Sequence, residues 1–147
     1  MKADTPHTGS ADSPGSADSP DGCDATGDPV PRLLCDAREL AAVDPAPTGA
    51  LWRLAESGRQ LDANLVRLPP EGRIDTHVEP ELDVILYVVS GDGVVDTARD
   101  RQPLTEGSVV WLPRGSRRSL TAGRDGLAYL TVHRRRPGLQ IRNRAGS

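Results

Sequence analysis

At 147 residues the chain has the length of one domain. A net charge of −3 gives no strong field for nucleic acid or a membrane surface. Two cysteines without a CxxC make no disulfide framework, and the longest apolar run, VILYVV at 84–89, is too short to span a bilayer.

The opening MKADTPHTGS has no apolar stretch of the kind a signal peptide needs, so a cytoplasmic protein is expected. Residues 9–20 write one hexapeptide, GSADSP, twice. Through Pro31 the chain stays rich in Asp, Ser, Pro and Gly, with six Asp against Lys2. Such a composition cannot bury enough apolar surface to offset its ordering entropy, so residues 1–31 are expected to be a disordered, low-complexity tail. Residues 32–49 form a lead-in. Within it, RLLCDARELAAVD (32–44) places Leu33, Leu34, Ala37, Leu40 and Ala41 on one helical face and Pro45 and Pro47 stop it, so a short helix or an extended lead-in lying on the domain is expected.

From residue 50 to 136 the pattern changes to short strands bounded by Gly and Pro. ALWRLAE (50–56) and RQLDANLVRL (59–68) alternate in part, PPEG (69–72) reads as a turn, and RIDTH (73–77) as a short strand. DVILYVV (83–89) is a strand apolar on both faces. SGDG (90–93) reads as a hairpin turn after which VVDTA (94–98) pairs back. GSVVWLP (107–113), SRRSLTA (116–122) and LAYLTVHR (127–134) follow as separate strands. Strands at this spacing, in a chain with 15 Gly and 13 Pro, predict an all-β sandwich or barrel. Residues 137–147 are a basic tail. Arg134, Arg135, Arg136, Arg142 and Arg144 cluster without an aromatic platform and read as a solvated end, with no nucleic-acid partner.

Two stretches carry a more specific signal. Gly72, four residues, His77, one residue, Glu79, four residues, Val84, six residues and Gly91 run in order. Further on come Gly107, five residues, Pro113, one, Gly115, two, Arg118, three and Ala122. The chain resembles the cupin superfamily, whose paired motifs are G-x5-H-x-H-x(3,4)-E-x6-G and G-x5-P-x-G-x2-H-x3-N. The resemblance runs from about Leu51 to His133. It implies a single double-sheet barrel of the jelly-roll type. It also implies a homodimer packed through the outward Ile85, Tyr87 and Val89, unless the 32–44 segment covers that face.

In metal-binding cupins three His and one Glu hold a divalent ion. The matching positions here are His77, Glu79, Val84 and Arg118. Val84 offers no donor atom, and Arg118 brings a permanent cation with no acceptor. The expected site is therefore a ligand pocket of His77, Glu79, Arg118 and Val84 without a cofactor, in which Glu79 and Arg118 form a bidentate pair or Arg118 anchors an anionic ligand. If any metal binds, His77 and Glu79 are its ligands. No catalytic residue is assigned, since no motif sets a nucleophile beside a base. The expected function is metal-free binding of a small molecule, anionic if Arg118 anchors it, or an accessory or sensor role. The alternatives are a metal-dependent enzyme of dioxygenase or isomerase type and a structural barrel with no ligand.

Overall fold

The computed structural model describes residues 29–43 and 47–136. The expected tails lie outside the described residues except for 29–31, which are not in a helix or strand. One short helix, α1 (Ala37–Ala41), precedes seven strands. These are β1 (Gly49–Arg53), β2 (Leu61–Leu68), β3 (Arg73–Val78), β4 (Val84–Thr97), β5 (Arg101–Leu104), β6 (Val109–Leu112) and β7 (Arg117–Arg134). Among the described residues no helix is long and apolar enough to cross a membrane.

All pairings are antiparallel, and two long strands organise them. The first part of β4 pairs with the last part of β7, from Val84↔His133 to Gly91↔Leu127. The rest pairs from Gly93↔Ala122 to Thr97↔Arg118. On the first stretch β2 and β1 extend the sheet beyond β7, and β6 extends it beyond β4. On the second stretch β3 flanks β7 and β5 flanks β4. β4 and β7 thus belong to both leaves of an all-β double sheet, and the fold expectation holds.

The joint between the leaves corrects the expected turns. SGDG (90–93) is no hairpin: the chain passes through it and remains β4. Likewise 117–122 and 127–134 belong to one continuous strand, β7. The ladder shifts register between Val88 and Ser90 and between Gly91 and Gly93. Gly91 has φ +79°, and a Cβ there would lie 2.1 Å from the Gly126 carbonyl oxygen. A Cβ on Gly93 would lie 2.4 Å from the Thr121 oxygen. The glycines serve a bulged bend in which two backbones nearly touch, not a reversal. The reversal comes later, where the Thr97 N–H donates to the Asp100 carbonyl at 2.8 Å.

Alternation along β4 follows expectation. Val84, Leu86 and Val88 point into the core with Leu68, Val95, Leu112, Leu120 and Leu127. The outward face divides. Val89 packs with Leu65 and Ala128 beneath Ala41 of α1, whereas Ile85 and Tyr87 remain 38% exposed. The 32–44 segment supplies a short helix lying on the domain, with an extended lead-in before it. Asp36 caps it by accepting from the Arg38 and Glu39 amides, so the segment before it stays outside the helix and Leu33 is 90% exposed. Trp111 stands opposite Ile85 and Val109 opposite Tyr87, leaving four uncovered apolar side chains side by side.

Replacing Gly91 with Ala should cost at least about 3 kcal/mol in urea unfolding, since strain at positive φ adds to a backbone clash. Gly107→Ala, at φ +91° with open space around it, should cost about 1–2 kcal/mol. Equal costs would show that the bend tolerates a side chain.

Candidate functional site

The strand ends of the two leaves enclose a cavity of about 190 Å³. β3 brings His77 and β7 brings Arg118, which are register partners. β4 brings Val84, whose partner across the ladder is His133 near the end of β7. A register shift in β3 decides which side chains face inward. Ile74 pairs with Leu120, and three residues later His77 pairs with Arg118 only two positions away. Without that bulge Thr76 would hold the inward position. The turn before β7 is held by the Ser116 N–H on the Pro113 carbonyl at 3.1 Å and by the Gly115 N–H on the Glu79 carbonyl at 2.7 Å. The proline and glycine expected to set Arg118 therefore lie in the turn that does so.

His77, Val84 and Arg118 all line the cavity; Glu79 does not. Its side chain is 15% exposed, and its Oε2 accepts from Arg136 Nη2 at 2.7 Å. The expected Glu79–Arg118 bidentate pair is thus replaced by Glu79–Arg136. Arg136, read from sequence as part of a solvated basic end, closes the loop after β3 instead. Arg118 is only 5% exposed. Its Nη1 donates to the Ser116 carbonyl and hydroxyl, both at 3.3 Å. Nε and Nη2 have no partner among the described residues. Burial pushes the Arg118 pKa down, and the nearby Glu79 charge, the smaller influence, pushes it back up. The group remains a cation at neutral pH.

Tyr129, Thr131 and His133 also line the cavity, and the sequence reading missed them. They stand at alternate positions of β7, so one face of that strand presents all three inward. That period was visible in LAYLTVHR, but the 127–134 stretch carries no metal-motif position in the resemblance. Burial pushes the Tyr129 phenol pKa up and keeps the hydroxyl protonated. His77 Nδ1 lies 3.0 Å from the Asp75 carbonyl, and His133 Nδ1 lies 2.7 Å from the Arg134 carbonyl. A carbonyl can only accept, so Nδ1 carries the proton in each ring and Nε2 keeps a lone pair in the neutral form. Ile74, Val84, Leu86, Leu112 and Leu120 form the apolar wall.

This donor set does not fit a divalent ion. His77 and His133 are the two imidazoles on the cavity, and no group of three His, Cys, Asp or Glu converges among the described residues. Arg118 adds a positive charge to the same space.

No family model matches the sequence, and no curated protein matches it. Solved structures do match in fold. A protein from Bacillus halodurans, BH2720, superposes with a TM-score of 0.61 at 18% identity, over 74% of this chain and 86% of that one. A cupin protein from Bacteroides fragilis gives 0.52 at 16%, over 60% of this chain and 80% of that one. The cupin domain of Schizosaccharomyces pombe Cnp3 gives 0.52 at 15%, over 58% and 59%.

Arg118→Met should leave the unfolding free energy of the ligand-free protein within about 1 kcal/mol of wild type, or raise it. An apolar group of similar length ends the cost of holding a cation away from water, and Glu79 keeps its own partner. A loss above about 2 kcal/mol in urea titration would reveal a structural partner for the guanidinium.

Proposed function

We propose, from the cupin fold this chain adopts, that it is a metal-free binding module for a small anionic molecule held in the cavity of its barrel. One observation carries the reading: the guanidinium of Arg118 is almost fully buried, faces the cavity, and leaves Nε and Nη2 unpaired among the described residues. Among the described residues Glu56 Oε2 is the fully buried side-chain polar atom without a partner, so Arg118 Nε and Nη2 keep accessible surface, open to water or to a ligand. A ligand anion supplies the partner. The cavity itself argues against a barrel filled by its own side chains. The mismatched donor set argues against an enzyme that works through a divalent ion. Binding with no assigned catalytic group is the role of an accessory or sensor module.

The second copy of the chain belongs on the uncovered sheet face. Ile85, Tyr87, Val109 and Trp111 form an apolar patch on one leaf, on the side of the sheet away from the cavity. Two such faces packed about a twofold axis would bury each other's side chains. Val89, expected in that contact, lies under α1 and is not part of it.

A panel of small organic anions and matched neutral molecules should include some that raise the denaturation midpoint of the wild-type protein. Leu112→Trp, which fills the cavity, should lose those shifts. A panel without effect on the wild type would favour the filled barrel. In sedimentation equilibrium the wild type should run as a dimer and Tyr87→Asp as a monomer. A monomeric wild type removes the dimer and leaves the binding role standing.

A further inference from the structure

The cavity states the chemistry of its occupant through what it leaves unmade. At about 190 Å³ it lies below the ~300–1,000 Å³ typical of pockets for drug-sized ligands, so the occupant is small. Ile74, Val84, Leu86, Leu112 and Leu120 form an aliphatic half of its wall, which takes an apolar body better than a ring of hydroxyls. Arg118 presents two nitrogens without partners among the described residues, and a carboxylate matches a guanidinium edge with paired hydrogen bonds. A phosphate dianion fits less well, because among the described residues one guanidinium is the permanent cation on the cavity. The two histidines set the complementary demand. Their Nδ1 protons are committed to the Asp75 and Arg134 carbonyls, so the opposite ring edges offer acceptors. An acceptor is met by a hydroxyl. An ammonium would meet it too, but would share the cavity with the like charge of Arg118.

Resting on the binding role proposed above, we infer that the ligand is a small hydroxy-monocarboxylate with a compact apolar body. Its carboxylate sits on Nε and Nη2 of Arg118. Its hydroxyl donates to Nε2 of His77 or His133, and its body packs on the aliphatic wall. Tyr129 and Thr131 bring hydroxyl donors to the same cavity.

Isothermal titration calorimetry on the full chain with four probes of one shape tests this. The probes are hydroxyisocaproate, isocaproate, isocaproamide and leucine. Hydroxyisocaproate should bind tightest. Isocaproate should bind about 10-fold more weakly, having lost one buried hydrogen bond. Isocaproamide should bind at least ~10-fold more weakly than isocaproate, having lost the charge-assisted pair. Leucine should bind more weakly than isocaproate. Arg118→Met should abolish acid binding while keeping the wild-type denaturation midpoint; should that variant fail to fold, the acid-to-amide ratio on the wild type decides alone. An amide that binds as tightly as its acid overturns the carboxylate assignment and leaves the binding role intact. The same follows if none of the four binds while the wider panel yields a ligand. Silence from both the four probes and the panel overturns this inference and the binding role together.

Discussion

Every side chain on the cavity sits on β4, on β7, or on a strand paired directly with one of them. The antiparallel β4–β7 ladder is therefore the constraint on which the rest depends. Arg118 and His133 stand near opposite ends of β7, yet they line one cavity. In a straight strand they would be about 50 Å apart at ~3.3 Å per residue. The bend at Gly91, Gly93 and Gly126 brings them together. It works because those positions carry no Cβ where one backbone lies against another.

Charge in the cavity follows from that geometry. The β3 bulge turns His77 inward, while the loop beyond Val78 carries Glu79 out of the cavity to Arg136. Arg118 is then the permanent cation on the inner wall, held by two long hydrogen bonds to Ser116. A fold selected for stability alone would have little reason to keep a charge there. The proposed binding role rests on this cation, whose Nε and Nη2 have no partner among the described residues.

Much of the fold was legible from the glycine, proline and apolar spacing. Gly107, Pro113 and Gly115 marked the approach to Arg118, and alternation along VILYVV sorted inward from outward residues. The bend was not legible, because SGDG has the composition of a hairpin turn. Only the opposing backbone at Thr121 and Gly126 distinguishes a bulge from a reversal. The partner of Glu79 was hidden for a similar reason. Arg136 lies 57 residues away, in a run of arginines that sequence alone reads as solvated. Tyr129, Thr131 and His133 had the right period, but their use depends on β7 bending back over β3. The start of the short helix was not legible either, because Leu33 and Leu34 fit its period while Asp36 caps it after them.

The central claim is that the cavity is an anion site and not a metal site. Elemental analysis of protein purified without chelator and without a metal-affinity step tests this most directly. The account predicts iron, manganese, nickel and zinc each well below one equivalent per chain. Stoichiometric metal that is lost on His77→Ala would contradict it.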